Sequence, residues 1–250
     1  MSFFKKLWVL LILVSYFLCV SSYAAPLYEL LWQSIITEYS YQKTEDRMTC
    51  QLINFRQLKT SQSFSTILRF LNKYDYQNLN DKSDKIAFWI NVYNICATKI
   101  ILENYPIQSI DELNNRYGDY KHIKQIQVSG ESFSLSDIEN KLLMFSDSRI
   151  LFALYNGTLS GPQLYKAPFT SSQLNSQLDM VQKQFINERY RGVDIQPGTR
   201  YLYVSRLFSN YSQFFPNQEK VKDYLQKFLA EDISDYNVFY FINNNKINDY

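Results

Sequence analysis

The stretch from Asp84 to Leu102 constrains the fold of this chain more than any other part of it. Its apolar residues include Ile86, Phe88, Trp89, Ile90, Val92, Tyr93, Ile95, Cys96, Ile100, Ile101 and Leu102. On a helix they cover most of the circumference, and a helix apolar nearly all round has to be enclosed by the rest of the molecule. Two amides, Asn91 and Asn94, interrupt the run. A buried amide must find hydrogen-bond partners. The helix is therefore predicted to pin neighbouring backbone as well as to fill the core.

At 250 residues the chain is long enough for one domain with a real core. Its first residues form a separate signal. Lys5 and Lys6 precede the apolar stretch Leu7 to Val20, and Ser22 and Ala24 supply small residues before Ala25. This is the layout of a cleaved export signal, and the run is shorter than the roughly 20 residues a spanning helix needs. The expected division is a signal peptide over 1–24 and a single domain over 25–250. An uncleaved N-terminal anchor is the alternative. Cleavage removes two lysines and no acid, which takes the formal charge from +2 to neutral. A neutral chain without basic runs carries no signal for nucleic acid or for an anionic membrane. The expected location is exported, periplasmic or secreted.

Beyond the signal, Leu27, Leu30, Leu31, Ile35 and Ile36 mark a helix that starts after Pro26. Residues 40–50 are polar and read as a loop, with a short extended segment from Thr49 to Phe55. Residues 62–73 read as a helix. The central helix is capped by Asp81 or Ser83 and ends at Tyr105-Pro106. Residues 107–121 read as turn-rich. Ile126 and Val128, then Ser129-Gly130, then Phe133, read as a hairpin. Ser136 and Glu139 read as a capping box. Ile150 to Tyr155 has the length of a buried strand, broken at Asn156-Gly157. A helix follows through Leu174, Leu178, Val181 and Phe185. Then come a hairpin around Pro197-Gly198, a short helix in 206–214, a helix through Val221, Leu225 and Leu229, a strand at Val238–Ile242 and a polar tail. The expected class is α+β: a single domain with a small antiparallel sheet and hairpins, packed against several helices around one buried central helix.

The order of these segments resembles the family called domain of unknown function 547. Its F-W-I-N-x-Y-N motif stands here as Phe88 to Asn94. Tyr105-Pro106 with Ser109-Ile110, Leu135 to Glu139, and Leu202 to Phe208 resemble its later segments. The resemblance runs from about residue 30 to 249. Three positions depart from the pattern. Where the family reads C-G-x-x-S-C-P, this chain has Asn156-Gly-Thr-Leu-Ser-Gly-Pro162. Where the family has His after I-E, this chain has Asn140. Its F-x-W-Y-x-x-D-F segment appears as Phe208 to Phe215, with Asn210 for the Trp and Phe214 for the Asp.

A Cys, a His and an Asp would suggest a thiol nucleophile with a base and an orienter. Here all three positions hold groups that cannot act so. The resemblance thus implies a vestigial site at Asn140, Asn156, Ser160 and Phe214, with Asn91, Tyr93, Asn94 and Glu139 as possible pocket-lining residues and no catalytic residue. The expected function is binding of a peptide, glycan or protein partner. The alternative is a hydrolase or transferase whose chemistry has moved to Ser160, with Lys166 as the nearest conceivable base. His122, the only histidine, reads as a surface residue. No cofactor and no metal is expected, because two mature cysteines and one histidine cannot complete a structural zinc site. Whether Cys50 and Cys96 form a disulfide stays open.

Overall fold

The computed structural model describes residues 25–250. Residues 1–24, read from the sequence as a cleaved signal peptide, lie outside the described residues. The central helix is the longest element, and it forms much as its composition requires. In chain order, α1 (Leu27–Tyr39), β1 (Ser40–Glu45) and β2 (Met48–Ile53) are followed by α2 (Phe55–Thr60) and α3 (Gln62–Lys73). The central helix is α4 (Lys82–Asn104), and α5 (Asp111–Tyr117) follows it. Then come β3 (Ile126–Val128), β4 (Glu131–Phe133), α6 (Leu135–Leu143) and α7 (Leu174–Asn187). The chain ends with β5 (Val193–Gln196), β6 (Tyr201–Val204), α8 (Leu207–Asn210), α9 (Gln218–Leu225) and β7 (Asn237–Tyr240).

α4 passes through the middle of one continuous core. Ile90, Val92, Ile95 and Ile101 are fully enclosed, and α1, α3, α6 and α7 all add apolar side chains around it. By length and hydropathy alone α4 could cross a membrane. Instead, 89% of its most apolar window is buried inside the protein. Full burial of each such side chain stabilises the fold by about 1.5–3 kcal/mol, which is why a helix without a polar face is held in place.

The strands form three small sheets. β1 pairs with β2, β3 with β4, and β5, β6 and β7 make a three-stranded sheet in that order. Pairing is antiparallel except that β7 joins β6 in parallel. This is the expected α+β arrangement of small sheets and hairpins on helices, with one parallel neighbour added.

Several local expectations are corrected. Residues 40–50 are not a loop. They are the first hairpin, with Ser40 opposite Ile53 and Glu45 opposite Met48. Asp46 and Arg47 both take positive φ, at 47° and 66°, the geometry of a tight two-residue hairpin turn. The turn-rich stretch 107–121 contains α5, held by buried Ile107, Ile110 and Leu113. The run at 150–155 is a 3-10 helix from Ser148 to Ala153 rather than a strand; its side chains are buried on all sides, and a wholly apolar run carries no period to tell the two apart. The capping box is formed by Ser134 and Asp137, not Ser136 and Glu139. Cys50 and Cys96 are both free and buried, so no bridge joins them.

The polar tail has a role that its composition does not announce. It is threaded back through the molecule, with Ile247 and Asn248 buried. Its carbonyls accept from Ile53 N, Ile110 N, Leu159 N and Ser160 N at 2.8–3.2 Å. Short bridges pair Ile53 with Asp249, Ser109 with Lys246 and Thr158 with Ile247.

Candidate functional site

The two amides of α4 act as backbone clamps. Asn91 Nδ2 donates to the Phe169 carbonyl at 2.8 Å, and its Oδ1 accepts from Phe169 N at 2.9 Å. Asn94 does the same to the segment before the altered loop: Nδ2 donates to Ala153 O at 3.1 Å and Oδ1 accepts from Tyr155 N at 2.9 Å. Both amides are buried and each pairs one donor and one acceptor with main chain, so they hold the frame.

Glu139 is the meeting point of three sequence motifs. Tyr211 Oη donates to Glu139 Oε1 at 2.9 Å. Burial, and then the Glu139 charge, push the Tyr93 and Tyr211 hydroxyls well above the usual phenol range. Tyr120 is raised in the same way, by burial first and by Asp119 and Glu139 after it. Tyr93, Glu139 and Tyr211 therefore share one buried corner. Asn140, the next residue, is exposed at the surface of α6. Phe214 is half-buried, its N–H donates to the Tyr211 carbonyl at 3.0 Å, and its ring packs beside Phe215.

Asn156 and Ser160 belong to a different cluster. Asn156 Oδ1 accepts from Thr158 N at 3.1 Å and from Thr158 Oγ1 at 2.9 Å, and Gly161 N donates to Thr158 Oγ1 at 3.1 Å. Ser160 Oγ donates to the Asn244 carbonyl at 3.0 Å, beneath the C-terminal tail. That carbonyl cannot take the proton of a nucleophile, and among the described residues no His, Lys, Asp or Glu side chain bonds the hydroxyl. Among the described residues, no hydrogen bond or ring contact joins Asn140, Asn156 and Phe214 to one another. His122 stands at the surface, with Nε2 3.2 Å from Asp119 Oδ2. No three His, Cys, Asp or Glu side chains among the described residues gather as a metal-ligand set.

The open site lies beside this loop. A cleft of about 320 Å³ separates the β1–β2 hairpin from the end of α7. Its apolar wall is Phe152, Leu164, Val181 and Phe185, and amides line it at Gln42, Gln51, Gln163 and Gln184. None of the eight positions inferred from the sequence lines it. Lys166, the residue considered as a base for Ser160, is on its rim and exposed.

Arg191 dominates the chemistry of the cleft. It is 4% exposed, yet it lines the cleft wall. Nε donates to Leu159 O at 2.9 Å, Nη1 to Thr49 O at 3.1 Å and Nη2 to Cys50 Sγ at 3.1 Å. Among the described residues no carboxylate lies within salt-bridge distance of it. The nearby Glu188 spends one oxygen on Thr49 N at 3.1 Å. Burial pulls the Arg191 pKa down, and burial pushes the Cys50 thiol up against the opposing pull of Arg191. The thiol is therefore no counter-ion. Gly192 makes the position possible, since a Cβ there would run into the Phe185 carbonyl where the chain turns off α7. The sequence offered no sign of this arginine's role, because Arg189-Tyr190-Arg191 looks like solvated surface and its partners lie far away in the chain.

Residues 76–186 match the model of a family described as "Protein of unknown function, DUF547". No curated protein and no solved structure matches the chain. The match takes in α4, α6 with Asn140, and the loop with Asn156 and Ser160. It stops short of Arg191, of Phe214 and of the C-terminal tail, so it is narrower than the span the motifs suggested.

Proposed function

We propose that the protein is exported and works by binding rather than catalysis, with the cleft beside Arg191 as its ligand site. The observation that carries this reading is Arg191 itself. A buried guanidinium with no carboxylate within salt-bridge distance costs several kcal/mol of desolvation, which three neutral acceptors and the more distant Glu188 charge offset only in part. An incoming anionic group offsets the rest. Arg also presents two parallel N–H groups to a carboxylate. The four apolar side chains suit the body of such a ligand, and the surrounding amides offer both donors and acceptors, as a peptide main chain requires. The ligand is a short peptide segment bearing a carboxylate.

The chemistry of the positions that depart from the family pattern supports the same reading. Asn156 is an amide locked in its own turn, Ser160 donates to a carbonyl, and Phe214 cannot orient a base. The signal-like N-terminus supports export to the periplasm or beyond.

The test is a titration of short acidic peptides and their neutral amide counterparts against the chain lacking residues 1–24. The acidic peptides should bind, and Gln184→Trp, which fills the rim from an exposed position, should abolish binding without lowering stability. Peptide binding unaffected by Gln184→Trp would move the site elsewhere, and equal binding of acids and amides would remove Arg191 from the account.

A further inference from the structure

Away from the cleft, Trp89 of α4 meets two further aromatic side chains. Tyr76, Trp89 and Phe133 form three walls of a corner. Their ring centroids are 5.0, 5.2 and 6.2 Å apart, and their planes meet at 67°, 64° and 80°. The corner holds a cation. Lys141 Nζ, reaching in from α6, is 5.2 Å from the Trp89 ring, 5.3 Å from Phe133 and 5.9 Å from Tyr76. Among the described residues its ammonium has no carboxylate within salt-bridge distance and no hydrogen-bond acceptor. A carboxylate stands at the rim, where Tyr76 Oη lies 3.3 Å from Glu131 Oε2.

This pairing is chemically one-sided. The ring faces attract positive charge, but a primary ammonium has three N–H donors and holds its water strongly. Three aromatic walls give those donors nothing. A trimethylammonium group has the same charge, no donors, and methyl groups that pack on the rings. The corner therefore suits a quaternary ammonium better than the lysine it contains.

We propose that Tyr76, Trp89 and Phe133 form a binding site for a trimethylammonium group, occupied by Lys141 until a ligand displaces it. Glu131 at the rim adds the opposite charge. The group can belong to a free small molecule such as choline or to a lipid headgroup, and both present the same methylated cation. The site is separate from the Arg191 cleft, so its fate does not depend on the cleft.

The experiment follows tryptophan fluorescence of the chain lacking residues 1–24 during titration with tetramethylammonium and with choline, using sodium chloride as the ionic-strength control. Lys141→Ala should show saturable binding at least about tenfold tighter than the original chain, a difference of about 1.4 kcal/mol. Lys141→Met, which keeps an unbranched apolar stem over the rings, guards against loss of folding and should bind more tightly than the original chain too. Adding Tyr76→Leu should weaken binding. Phosphatidylcholine vesicles that bind when choline does not would assign the group to lipid. If both Lys141 variants keep the original unfolding transition but respond to tetramethylammonium no differently than to sodium chloride, the site does not exist.

Discussion

At the scale of single residues, the fold depends on a few polar side chains that serve main chain. Asn94 is the sharpest case. It satisfies one donor and one acceptor of the segment leading into the altered loop, all of it out of contact with water. Asn94→Ala leaves Tyr155 N and Ala153 O unpaired, and each buried orphan costs about 1–3 kcal/mol. A loss of at least about 2 kcal/mol in urea unfolding is expected. A change under half of that would mean water replaces the amide. Asn156 and Gly161 make the second case. A Cβ at position 161 would lie 2.5 Å from Asn156 Cγ, so side chains at the two positions face each other across the loop. This is the spacing of a cross-link, and it bears on the paired cysteines that the resembling motif carries there. Asn156→Cys combined with Gly161→Cys should lose both new thiols on mild oxidation, while Cys50 and Cys96 stay unreactive until unfolding. Two persistently titratable new thiols would overturn this geometry. Cysteines at these positions would then remain free thiols, as a nucleophilic role in the family pattern requires.

At the scale of elements, legibility tracked how each element satisfies its polar groups. α4 was readable because no other structure accommodates so many apolar residues in succession. The hairpins at Ser129-Gly130 and Pro197-Gly198 were readable through their turns. The first hairpin was not, because its turn is Asp46-Arg47, without glycine, and because β1 is largely exposed. The packing of the tail was not readable for a related reason. Its asparagines look solvated, but its backbone is consumed by β2, α5 and the 156–161 loop. Deleting residues 243–250 removes buried Ile247 and Asn248 and strands four N–H groups at once. A large, cooperative drop in thermal stability is expected by calorimetry, with the 156–161 loop gaining hydrogen exchange. A truncated chain as stable as the original would make the tail a loose strap.

At the scale of the whole molecule, the sequence located the corner that the motifs share but not the open cleft. The three motifs do come together, since Tyr93, Glu139 and Tyr211 share a corner. The altered positions do not meet there: Asn140 points to solvent and Asn156 is tied into the loop beneath the tail. The cleft that remains is built from Thr49, Gln163, Phe185 and Arg191, which no motif links and which only the fold brings together. A lone arginine in a polar stretch has no signature of burial, so this part was unreadable before the structure.

The proposed site places ligands at Arg191 and not at the positions that depart from the family pattern. The most direct measurement is chemical-shift mapping of the ¹⁵N-labelled chain, without residues 1–24, during titration with an acidic peptide. The account predicts shifts concentrated at Thr49, Gln51, Gln163, Glu188 and Arg191. Shifts centred on Glu139, Asn140, Tyr211 and Phe214 would contradict it and return function to the corner that the sequence motifs share.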